Sequence, residues 1–152
     1  MIEKEQSKTL LTAVLVTLAC TLLFMLNNGV RSNFGLISTA IQAHTGLASE
    51  RISFAIAIAQ LLYGLSQPFF GILALKKSNS FVLALGGILM GLGLLLIPMS
   101  HSVIMLDISL GLLVGLAAGA LAFGVVMGAA APALGSRYAA TASGIINGGG
   151  AV

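Results

Sequence analysis

The chain has 152 residues, 58% of them hydrophobic and only 7% charged, with a formal net charge of +3 and a mean hydropathy of +1.08. A soluble domain carries about 25% charged residues to cover its water-facing surface, so this composition excludes an ordinary aqueous protein and makes a lipid bilayer the main solvent. The few basic residues are scattered and not interleaved with aromatics, which excludes nucleic acid as a partner.

A helix crossing the hydrocarbon core needs roughly 20 residues at 1.5 Å rise each. The first apolar run begins at Leu10 and is expected to continue past the polar patch Asn27–Asn33 to Ile41, giving a span over 10–41. It is too long for the apolar part of a signal peptide, and Asn27-Asn28-Gly29 is not a small-x-small cleavage site, so a retained span is expected. Cys20, the single cysteine, lies inside this run without a disulfide or metal partner and reads as core packing. Further spans are expected over 52–75, 81–99 and 103–131, and a fifth over 138–152 that is cut by the end of the chain. The polar breaks between them are short, so consecutive helices should be antiparallel neighbours. The expected fold class is all-α, a polytopic transmembrane helix bundle. The period-two alternation of a membrane β-barrel is absent.

The fifth span falls short of the length needed to cross a bilayer, which points to residues 1–152 being an incomplete N-terminal transmembrane domain. With the N-terminus inside, Lys4, Lys8, Lys76, Lys77 and Arg137 share the inner face, and Arg51 alone faces out. Basic residues in short loops favour the cytoplasmic side, so a multi-pass protein of the cytoplasmic membrane with a cytoplasmic N-terminus is expected.

Three features could carry chemistry. Arg31 stands with polar neighbours at the end of the first apolar run, and Asn27, one helical turn earlier, shares its face. An ionisable group at membrane depth is costly and usually lines a cavity, and a guanidinium fork matches a carboxylate. The same arginine near the bilayer boundary could instead snorkel into headgroups. On the second span, Gln60, Tyr63, Gly64, Gln67 and Gly71 recur at helical spacing and form one stripe. Amides at this depth must turn away from lipid, so the stripe reads as a cavity wall or as interhelical hydrogen bonding. Pro68 beside it could kink the helix.

The third feature is the glycine spacing Gly111, Gly115 and Gly119 on the fourth span, a close-packing signal in lipid. Gly87, Gly91 and Gly93 on the third span are expected to pack in the same way. His44 and His101 read as solvated loop residues, and Asp107 as an acid at a helix start. Ser143 and Asn147 share a face of the fifth span. No nucleophile–base pair, carboxylate pair, metal constellation or phosphate loop is present, so neither an enzyme nor a cofactor is expected.

Four stretches together resemble the N-terminal half of major facilitator superfamily transporters, in the branch around monocarboxylate and oxalate–formate carriers. They are Gly29-Val30-Arg31-Ser32-Asn33-Phe34-Gly35; Ser53 to Gln60 followed by Tyr63-Gly64-Leu65-Ser66-Gln67-Pro68 and Gly71; the glycine-rich fourth span with Phe123-Gly124; and Ala142-Ser143-Gly144-Ile145 through Gly150. The resemblance implies a twelve-helix fold of two six-helix halves that rock about a central site, with this chain as part of the first half and the missing C-terminal half as its partner. It implies a secondary transporter of a small organic anion, by proton symport or anion exchange. It makes Arg31 the anion contact, with Asn27, Gln60, Tyr63 and Gln67 as cavity lining.

The family's loop between helices two and three, with a pattern like G-x-x-x-D-R-x-G, corresponds to Gly71 through Lys76, Lys77 and Ser78. Here Leu75 stands in place of the aspartate and Ser78 in place of the second glycine. Two competing readings are a small membrane subunit that acts by helix–helix association through the Gly111–Gly119 face, and a truncated reading frame without function.

Overall fold

The computed structural model describes residues 2–151, with the side chains of 2–9 and of Arg137 outside the description. The expected inner-face positions of Lys4, Lys8 and Arg137 therefore lie outside the described side chains. Four helices are long and apolar enough to cross a membrane: Leu10–Ser32, Ser49–Lys76, Asn79–Met99 and Val103–Ser136. The described residues form helices joined by short turns and breaks, without strands.

The first rod is α1 (Ile2–Ser32), which passes into α2 (Phe34–Thr45) through the single irregular residue Asn33. The amide of Asn33 donates to the Gly29 carbonyl at 2.7 Å, which offsets the local loss of helix geometry. Helix α2 runs beyond the expected limit at Ile41 and stops at Gly46, whose φ of 68° only glycine adopts cheaply. The Gly46 N–H closes the end on Gln42. Helix α3 (Ser49–Lys76) carries Pro68 inside it and continues to Lys76.

Only Lys77 and Ser78 connect α3 to the next helix, because Ser78 already accepts the Phe81 N–H as N-cap of α4 (Asn79–Leu96). Gly71, expected as part of a gating loop, is therefore an interior residue of α3, and the loop proper is formed by Lys77 and Ser78. Past α4, a 3₁₀ turn over Ile97–Met99 holds Pro98, which lacks the N–H needed to extend the helix.

The fourth rod departs most from the expected uninterrupted helix over 103–131. It consists of α5 (Val103–Leu106), a π-helical stretch Asp107–Val114, and α6 (Gly115–Ala120). A break at Leu121–Ala122 follows, where Ala122 is extended with ψ 153°, and then α7 (Phe123–Gly150). The expected polar loop over 132–137 is absent as a loop. Pro132 sits inside α7, and the direction changes at Gly135 (φ 64°, ψ 170°).

The order of contacts along α1 reveals that reversal. Asn27 meets Ala118 and Leu121, Phe24 meets Phe123, and Cys20 meets Val126, so the chain before Gly135 runs antiparallel to α1. Ala13 and Thr17 share a cavity with Tyr138 and Ala142, and Asn28 reaches the Gly150 carbonyl at 2.9 Å, so the chain after Gly135 runs parallel to α1. The fourth rod is the centre of the bundle. In its apolar window 67% of residues are buried, against 17–33% in the other three spans.

Lipid offers no hydrophobic drive between helices, so close backbone approach must supply the packing energy. Gly111, Gly115 and Gly119 all abut α3, where Ala55, Ala59 and Ser66 receive them. On the α4 side the contacts come from Gly86 and Gly93, against Ala120 and Val114. Gly87 and Gly91, expected to pack, have no neighbour within 4 Å at the position a Cβ would take. They lie on the opposite side of α4 from Gly86 and Gly93, so they cannot bring the backbones together.

Candidate functional site

Arg31 occupies the last turn of α1 and leans onto the middle of α3. Its Nη2 donates to Gln60 Oε1 at 3.1 Å, and its guanidinium carbon lies 3.7 Å from the centre of the Tyr63 ring. Gln60 and Tyr63 are three residues apart, so one face of α3 presents both. The tyrosine face offers negative quadrupole charge to the cation, an attraction effective within about 6 Å of the ring centre. The glutamine carbonyl fixes one edge of the fork. The Nε–H remains buried without a hydrogen-bond partner.

A desolvated cationic donor without an acceptor is costly, and an incoming anion would satisfy it. Arg31 and Tyr63 are half-buried and Gln60 is exposed, so the cluster lies near the surface of the bundle while the Nε itself is covered. The result is a charged donor group braced on two sides. Among the described residues no group of three metal-ligating side chains accompanies it.

The other expected site residues separate into different roles. Asn27 is fully buried, and its Nδ2 donates to the carbonyls of Ala118 at 3.2 Å and Leu121 at 3.1 Å. Asn27, expected as cavity lining beside Arg31, thus directs its amide nitrogen to the backbone break of the fourth rod, while its Oδ1 is buried without a hydrogen-bond partner. Gln67 and Gly71 line a separate small cavity of about 150 Å³ with Ala122, Gly124 and Val125. Gln67 lies two turns from Gln60, about 10 Å along the helix, and does not reach Arg31. The stripe on α3 thus links the arginine cluster to the break of the fourth rod. Lys76 and Lys77 are exposed at the far end of α3.

Four functional placements were not foreseen. Ser66 meets Gly119 directly. Asn79 donates to the Gly128 carbonyl at 2.8 Å. Ser100 and Ser109 form a buried hydroxyl pair at 3.0 Å. Asp107 opens the π-helical stretch with one carboxylate oxygen buried and unpartnered. Only Asp107 carries a signal in the sequence, as an acid at a helix start, since Ser66 lies about 100° round α3 from Gln67 and outside the stripe. Compared with family models, with curated proteins and with solved structures, the chain matches none.

Proposed function

We propose that this chain forms part of a secondary active transporter that moves a small, monocarboxylate-like organic anion across the cytoplasmic membrane by alternating access. The observation that carries the reading is the unfilled Nε–H of Arg31, held in place by Gln60 and Tyr63. A guanidinium braced on two sides with a donor left over suits a carboxylate, whose oxygens accept several hydrogen bonds. The half-buried setting keeps the charge in a partly desolvated environment, where the attraction exceeds that in water.

The break at Leu121–Ala122 beside Gln67 supplies a bend within the central rod. Rocking movements of this kind of bundle require such irregular backbone where it lines a cavity. Proton symport and anion exchange are both compatible couplings, and the wall facing Arg31 is to be completed by a further helical half. The major facilitator architecture and a cytoplasmic N-terminus belong to the same proposal. The rival reading, a small subunit docking through Gly111, Gly115 and Gly119, loses its surface because α3 already fills that face.

The test is uptake of labelled formate, acetate and lactate by cells expressing the gene. Arg31→Ala should abolish uptake, and Arg31→Lys should retain part of it, because the charge survives while the fork does not. Undiminished uptake in the alanine variant overturns the proposal.

A further inference from the structure

His44 and His101 stand 57 positions apart in the sequence, yet the fold brings their rings near each other at the end of the bundle opposite Lys76 and Lys77. The ring centres are 6.5 Å apart and the planes are inclined by 37°. We propose that this pair is a divalent transition-metal site that clamps α2 to the end of the third span.

Both rings are exposed, so both are accessible and free to turn, while their backbones are fixed. On one side, the Gly46 cap and the Thr45 hydroxyl, which donates to Ile41 at 2.7 Å, secure the last turn of α2. On the other, buried Ser100 bonds to Leu96 at 2.9 Å and to Ser109 at 3.0 Å. The His101 N–H donates to Met99 at 3.1 Å. Two imidazoles on independently anchored elements are the arrangement that converts the second coordination step into an intramolecular one.

The geometry is within reach. Imidazole nitrogen binds zinc at about 2.0–2.1 Å, which puts each ring centre about 3.2 Å from the metal and two tetrahedrally placed rings about 5 Å apart. The observed separation of 6.5 Å is wider, and rotation of the exposed side chains closes the difference. His44 also lies in the last turn of α2, where the negative end of the helix dipole favours a cation. His44 and Thr45 also border a mostly apolar cavity of about 310 Å³ with Ile37, Ile41, Ile97 and Pro98. Imidazole suits Zn²⁺, Ni²⁺ and Cu²⁺ and does not suit Mg²⁺ or Ca²⁺, and water would complete the coordination.

The site is independent of the transport reading, since it involves neither Arg31 nor α3. Its structural effect would be to hold the long α1–α2 rod at its far end.

Calorimetric titration of Zn²⁺ into the purified full chain, free of any histidine tag and in detergent micelles, tests the clamp. One equivalent should bind. His44→Ala and His101→Ala should each weaken binding at least tenfold, and the double variant should lose no more than either alone. Zn²⁺ should raise the melting temperature of the unaltered chain only, and Mg²⁺ should raise none. Because both side chains are exposed, the variants should melt normally without metal, which separates lost binding from lost folding. Binding that survives either substitution, or that falls by half in each as two separate sites would, overturns the clamp.

Discussion

The amide nitrogen of Asn27 on α1 lies 3.1 Å from the carbonyl oxygen of Leu121, the residue at which the central rod breaks. In an unbroken helix that carbonyl would take the N–H of Val125, and the Ala118 carbonyl would take that of Ala122. Here Val125 turns to Ala122 and Ala122 turns to Gly119, so both carbonyls are left over. Asn27 supplies a donor to each, and a side chain of one helix thereby caps a discontinuity in another.

Asn27→Leu keeps the branched four-atom skeleton and removes both donors, leaving two buried carbonyls unsatisfied. We expect a loss of about 1–3 kcal/mol, read as a lowered midpoint in thermal unfolding of the purified protein. An unchanged midpoint would mean that the break is stable by itself.

A Cβ at Gly115 would lie 2.9 Å from both the Cα and the carbonyl oxygen of Ala59, which are backbone atoms and cannot rotate away. Gly115→Ala should therefore cost about 1–3 kcal/mol through forced separation of α3 from the central rod. Gly124→Ala, where nothing lies within 4 Å, should be neutral or stabilising, since alanine favours the helix by about 1 kcal/mol. Equal effects at the two positions would contradict the packing described above.

Tyr63 braces Arg31 through its ring face, and no hydrogen bond joins its hydroxyl to the arginine. Tyr63→Phe should therefore leave carboxylate uptake nearly unchanged, whereas Tyr63→Leu should weaken it roughly tenfold through loss of the cation–π contact. Uptake that tracks the hydroxyl instead would assign the tyrosine a different role.

The parallel run of α1 and the end of α7 can be read chemically. A Cβ at Gly149 would lie 2.5 Å from Thr21 Cγ2. In a Cys20→Ala background, Thr21→Cys with Gly149→Cys should cross-link under mild oxidation, and Thr21→Cys with Tyr138→Cys should not. The opposite pattern would reverse the direction of the last segment.

Hydrophobic runs make the crossing helices legible, because each needs some 20 apolar residues and little else. The stripe on α3 is legible for a similar reason, as amides must avoid lipid. Arg31 meeting Gln60 and Tyr63 is less legible, because α1 packs mainly on α7 and the long arginine side chain bridges to α3. What sequence periodicity cannot convey is backbone irregularity: nothing in Asp107–Val114 announces a π-helix, and nothing in Leu121-Ala122 announces a break. Asn27 was misread for that reason, since its partners exist only because the helix opposite it is broken. The glycines of α4 show the same limit. Spacing alone does not tell that Gly86 and Gly93 meet the central rod while Gly87 and Gly91 face away from it.

The π-helical stretch Asp107–Val114 also explains how three glycines at four-residue intervals can touch one partner. Four residues overshoot a full α-turn by about 40°, so an ordinary helix would wind Gly111, Gly115 and Gly119 progressively off α3. A π-turn holds more than four residues, so the same step there falls short and the two errors oppose each other. The contact line with α3 is therefore maintained by the number of residues in the stretch and not by their identity. Removing one of Leu112, Leu113 or Val114 would turn Gly111 away from Ala55 while leaving every side chain in the remaining sequence the same.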